Sequence, residues 1–143
     1  MSEQTRVLIV AHRTATTIAL AEAVRRRAER GPCAFTLLVP RDTHGLHRVV
    51  DPEDHGWWEA GETIALARPV LEEAAGGPID AMIGSHDPLA AVQDALNLHG
   101  FDEVIISTLP PRVSRWLRLD LPRKVAALGV PVEHVQGRAA VAA

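Results

Sequence analysis

Apolar residues along this chain follow two rhythms. Short runs that are mostly apolar and rich in β-branched residues occur at Arg6–Ala11 (RVLIVA), Cys33–Val39 (CAFTLLV), Ile79–Gly84 (IDAMIG), Val104–Ser107 (VIIS) and Val130–Val135 (VPVEHV). Such runs predict strands covered on both faces, and therefore a parallel sheet. Between them, apolar residues step by three and four. Ile18, Ala21, Val24 and Ala28 predict one helix; Trp57, Ala60, Ile64, Ala67, Leu71 and Ala74 predict a second, with Trp57 in its core stripe. Leu89, Val92, Leu96 and His99 predict a third, and Leu121, Val125 and Leu128 a short fourth. Punctuation agrees with this division. Thr16 or Thr17, Asp87-Pro88 and Asp120 are helix starts, whereas Gly31-Pro32, Gly76-Gly77-Pro78, Gly100 and Gly129 are stops.

The order β-α-β-α-β-α-β-α-β requires right-handed crossovers. It predicts an α/β fold, a five-stranded parallel sheet sandwiched by helices. Residues 1–135 read as a single α/β domain and 136–143 as a disordered tail. Pro40–Gly56 has Gly, Pro and Asp punctuation and no period, so it reads as a long loop. Its His44, His47, Asp51, Asp54 and His55 lack the spacing of a closed metal site; a mobile polar loop is the favoured reading.

Composition narrows the function classes. The chain has 143 residues, 47% apolar and 23% charged, with a net charge of −3. This excludes the basic footprint of a nucleic-acid or membrane-surface binder. Cys33 is the only cysteine, so no internal disulfide and no cysteine-rich zinc site can form; beside a strand it reads as an inert, buried thiol. Neither a membrane-length apolar run nor a signal-peptide core is visible, which makes the cytoplasm the expected location. Arg25-Arg26-Arg27 reads as a solvated helix face.

Five stretches, in their order and spacing, resemble the universal stress protein family over roughly residues 6–135. They are VLIVAHRT, the long segment after the second strand, GSHDPLAAVQDAL, DEVIIST and RKVAALGVPVEHV. The resemblance implies strand order 3-2-1-4-5, a ligand crevice between strands one and four, and a homodimer that often pairs through the last strand. ATP-binding members carry a Gly-x2-Gly-x9-Gly-Ser/Thr motif after strand four, where glycines let backbone N–H groups approach phosphate. Here Ser107, Pro110, Asp120 and Leu121 stand at those positions. Proline offers no N–H, and an acid at a helix start repels phosphate. The usual nucleotide cradle is therefore missing, and no cofactor is expected.

What remains after strand four is a proline corner followed by Arg112, Arg115 and Arg118, spaced by three, so that a helical turn would align them on one face. Arginine forks suit phosphate and carboxylate, whereas the plainer reading pairs these residues with Asp120 on a solvated face. Candidate ligand-binding residues are His12, Arg13, Thr14, Ser107, Thr108, Arg112, Arg115 and Arg118. His86 reads as exposed and not paired with His12, and Asp87 as a helix cap. Trp58 or Trp116 could stack on a ligand ring. No nucleophile elbow, Walker A or G-x-G-x-x-G motif occurs. The leading expectation is a non-enzymatic stress-response or regulatory module that takes a small anionic or nucleotide-like ligand. The alternatives are a nucleotide or phosphoester hydrolase working from His12 and Arg112, and a structural protein-interaction domain using Trp116 and the arginines.

Overall fold

The structure, a computed structural model, describes residues 4–41 and 52–137; for 52–55 only the backbone is described. The strands are β1 (Thr5–Val10), β2 (Cys33–Pro40), β3 (Asp80–Gly84), β4 (Glu103–Thr108) and β5 (Val132–Gln136). The helices are α1 (Ile18–Glu29), α2 (Pro52–Ala75), α3 (Pro88–His99), α4 (Arg115–Arg118) and α5 (Leu121–Ala126). Every strand pair is parallel, as the apolar runs predicted, and the order is β3-β2-β1-β4-β5, as the family resemblance implied.

Alternation along β1 divides the core. Val7 and Ile9 join Leu20, Val24, Phe35 and Leu71 under α1 and α2. Leu8 and Val10 join Leu38, Val92, Ile106 and Val125 under α3 and α5. All four β1 residues are fully buried, each contributing about 1.5–3 kcal/mol by burial. Register then sets the site: Val10 stands opposite both Leu38 and Ile106. The three central strands thus end together, and their following residues converge on one edge of the sheet.

Several sequence expectations are corrected. The loop after β2 is shorter than its punctuation suggested, because α2 already begins at Pro52. His44, His47 and Asp51 lie outside the described residues. Trp57 leaves the core stripe and is 47% exposed, with the Arg41 guanidinium 5.2 Å above its ring; Gly56 is buried on that turn instead. Ile18 is 77% exposed, since the α1 face that meets the sheet is Leu20, Ala23, Val24 and Arg27.

Arg27 is the sharpest of these corrections. It is buried, not solvated. Its Nε and Nη2 donate to the two carboxylate oxygens of Glu103 at 2.8 and 3.1 Å. That bidentate bond, and secondarily the charge of Glu103, raises the Arg27 pKa against the opposing cost of burial. Cys33, half-buried beside this pair, has its thiol pKa raised chiefly by burial, consistent with an inert role.

Candidate functional site

The chain reverses its direction of sheet growth between β1 and β4, and ligands in open α/β sheets bind outside the strand ends at such a point. Three local structures shape the crevice here. In the turn after β1, Thr17 caps α1: its Oγ1 accepts from Leu20 N at 3.4 Å and donates to the Thr14 carbonyl at 2.8 Å. Thr14 is thereby held with its hydroxyl 2.6 Å from that of Ser107 at the end of β4. Both residues are buried, so this bond spans the floor of the crevice.

After β4 the Pro110-Pro111 corner folds back. The Pro110 carbonyl accepts from the N–H groups of Val113 and Ser114, each at 3.0 Å. Buried Ser114 then caps α4, its Oγ accepting from Leu117 N at 3.1 Å. This single helical turn, absent from the sequence reading, lies over the strand ends and presents Arg115, Trp116 and Arg118. Arg112 lies in the preceding turn and does not line the cavity, so the three arginines do not share one face.

Asp120 also departs from expectation. It has a left-handed backbone, φ 58°, and its side chain caps nothing. It turns toward Arg123 at 3.7 Å and is outside the cavity lining. Aspartate is among the few non-glycine residues that tolerate this conformation, which makes it the joint between α4 and α5.

The third contribution was not read from the sequence. Arg41 directly follows β2, and its backbone N and Nε both donate to the Gly84 carbonyl, at 3.0 and 3.3 Å. Stacked on Trp57, it closes the β2 side of the crevice. Strand order alone could have found it, since β2 is the neighbour of β1 and a residue just past its end faces the same crevice.

The resulting cavity is about 260 Å³. Among the described residues its charged lining is Arg13, Arg41, Arg115 and Arg118, with no Asp or Glu. Its hydroxyls are Thr14, Ser107, Thr108 and Ser114; Pro40, Leu109, Val113 and Trp116 form the apolar wall. Among the described residues, Arg13, Arg115 and Arg118 form no ion pair. A neighbouring recess shares His12 and Arg13 and carries Glu59 and Glu62.

Both His12 and His86 line the main cavity, a meeting the sequence reading had not favoured. His86 is exposed at the rim, and Asp87 caps α3 as expected, accepting from Leu89 N and Ala90 N. Both ring nitrogens of His12 are shielded from solvent. Thr108 Oγ1 is 2.8 Å from His134 Nε2 on β5, and burial lowers the His134 pKa. No group of three or more potential metal ligands occurs among the described residues, and none of their helices is long and apolar enough to cross a membrane.

No family model matches the chain, and no curated protein matches it by sequence. Solved structures do match. A universal stress protein from Archaeoglobus fulgidus in complex with dAMP superposes with a TM-score of 0.63 at 16% identity, covering 94% of this chain and 99% of that one. A second structure of the universal stress protein from that organism gives 0.64 at 14% identity, covering 92% and 93%. A universal stress protein in complex with cAMP gives 0.55 at 16% identity, covering 97% and 100%. The chain has the universal stress protein fold. The resemblance read from its five stretches therefore holds for the architecture across nearly the whole chain.

Proposed function

We propose that this protein is a universal-stress-protein-like, non-enzymatic stress-response or regulatory module that binds a small anionic ligand at the C-terminal edge of its sheet. We place it in the cytoplasm as a homodimer built from a single domain per chain. The observation that carries the reading is a cavity whose lining, among the described residues, has four arginines and no acid. Guanidinium groups without an ion pair among the described residues, as at Arg13, Arg115 and Arg118, beside hydroxyl donors are suited to phosphate or carboxylate. The cavity volume is at the small end for ligand sites. Similarly folded universal stress proteins occur in complex with dAMP and with cAMP, which supports the reading.

Of the sequence candidates, Arg13, Thr14, Ser107, Thr108, Arg115 and Arg118 are assigned to the site, with Arg41 added and Arg112 left out. A hydrolase built on His12 and Arg112 has less to rest on. The His12 ring nitrogens are shielded, and Arg112 is off the cavity.

Isothermal titration with phosphate, AMP and ATP, at low and high salt, tests the proposal. Saturable anion binding that weakens with salt and on Arg115→Gln is expected. Nucleotide binding abolished by Asp120→Ala but indifferent to the arginine changes would sink it. Native mass spectrometry of the purified protein reads subunit count and any retained small molecule together.

A further inference from the structure

The four cationic groups are not gathered at one point. Arg41 follows β2 and Arg13 follows β1, whereas Arg115 and Arg118 project from α4, beyond β4. In this sheet β2 and β4 lie on opposite sides of β1. Their ends are therefore two strand spacings apart, roughly 10 Å. Between them the floor is neutral, made by the Thr14–Ser107 hydroxyl pair and Thr108. Arg13 follows the middle strand and shares a recess with Glu59 and Glu62 of α2, the helix packed on β2 and β3, which places it toward the β2 flank. The cavity is thus cationic at both flanks, with hydroxyls between them.

The flanks are also held differently. Arg41 is fixed by the Gly84 carbonyl and by Trp57, so its position on the β2 side is set before any ligand arrives. Arg115 and Arg118 are exposed on a one-turn helix and have no ion pair among the described residues. A ligand with one anionic group would satisfy one flank and leave the other cationic. A nucleoside monophosphate would set its uncharged base against arginines at one end.

We infer that the ligand is a short linear molecule with an oxyanion group at each end, a bisphosphate or a dicarboxylate, bridging Arg41 and Arg13 on one side to Arg115 and Arg118 on the other. This rests on the anion-site reading above and names the ligand class for it. Two charged ends engaged together act as linked binding events, so the double anion gains over either half alone. Arginine recognises both terminal groups by the same fork geometry, and the chemistry of the end groups is left for the probes to separate.

The test titrates the wild-type protein with probes of defined span: methylphosphonate, then methylene-, propylene- and butylene-bisphosphonate, alongside succinate, adipate and AMP. The expected result is that a propylene or butylene bisphosphonate, or a dicarboxylate of similar span, binds at least about tenfold more tightly than methylphosphonate. The methylene compound, too short to bridge, should resemble the single anion. Arg41→Gln and Arg115→Gln should each bring the long double anion down to the methylphosphonate level. Equal affinity for single and double anions, or AMP binding tighter than every double anion, overturns this inference while leaving an anion site in place. Failure of every probe to bind overturns both. Preference for phosphonate over carboxylate, or the reverse, then identifies the end group.

Discussion

The two ends of the sheet use the same residue type for opposite purposes. At the N-terminal end of the strands several arginines are answered. Arg27 is clamped by Glu103, and Arg30 approaches the same carboxylate at 3.6 Å. Arg6 donates to the His99 carbonyl and lies 5.1 Å over Phe101. At the C-terminal end Arg41 is held by the Gly84 carbonyl and Trp57, whereas Arg13, Arg115 and Arg118 line the same cavity with no ion pair among the described residues. Net charge conceals this, because the acids are elsewhere. An arginine whose charge is met inside the fold acts as structure; one left facing a cavity without a counter-charge is available to a ligand.

The largest expected effect comes from breaking the answered end. Glu103→Ala strands a guanidinium that is buried on α1, and should cost about 3 kcal/mol in urea unfolding. Arg27→Met, which removes the charge and keeps the packing, should cost distinctly less. Equal losses for the two would mean that the pair is ordinary surface electrostatics.

Gly84→Ala tests the anchor beneath Arg41. A Cβ there would come within 2.7 Å of Ala91 Cβ and 2.9 Å of Leu38 Cδ1. Overpacking of this kind should cost about 1–3 kcal/mol and weaken anion binding with it. A loss of stability with unchanged anion affinity would separate the anchor from the site.

Supplying the missing counter-charge is the converse experiment. Val113→Glu puts an acid on the cavity wall near Arg115 and Arg118. Anion affinity should fall about tenfold or more, with the thermal midpoint unchanged or raised, as the unanswered end comes to resemble the answered one. Arg115→Gln should shift stability by no more than about 0.5 kcal/mol while still reducing anion affinity. A large destabilisation would show that this arginine, too, is structural.

The smallest effect is the pH dependence of His134. Burial lowers its folded-state pKa, so the unfolded chain binds this proton more tightly. The contribution to stability is full above the ordinary imidazole value, about 6.5, and is lost as pH falls through it toward the lower folded value. Urea midpoints measured from pH 8 to 5 should fall less steeply in His134→Gln than in the wild type.

Much of the architecture was legible because it rests on local pattern. Continuous apolar runs such as RVLIVA can be buried only with both faces covered, and Gly-Pro punctuation cannot sit inside helices. Strand and helix ends therefore came within a few residues of their final places, except at Pro52 and in the stretch before Asp120. Errors arose where a helix face had to be chosen. Ile18 and Trp57 fit their stripes by spacing, yet the face that meets the sheet depends on the approach of the neighbouring element, which periodicity does not encode. Of the candidate ligand-binding residues, His12, Arg13, Thr14, Ser107, Thr108, Arg115 and Arg118 line one cavity at the strand ends. Arg41 was overlooked inside a segment read as loop, and Arg112 was grouped by a helical turn that begins only at Arg115.

The sequence by itself determined the alternation of strands and helices and the absence of a glycine-built cradle after β4, because each follows from residues near one another in the chain. Which arginines are answered was decided only by the tertiary structure. Glu103 lies 76 residues from Arg27, and Arg41 meets Arg115 around a cavity formed by strands that the chain order does not place side by side. Charge pairing is a matter of distances of a few ångströms, and those are set by packing.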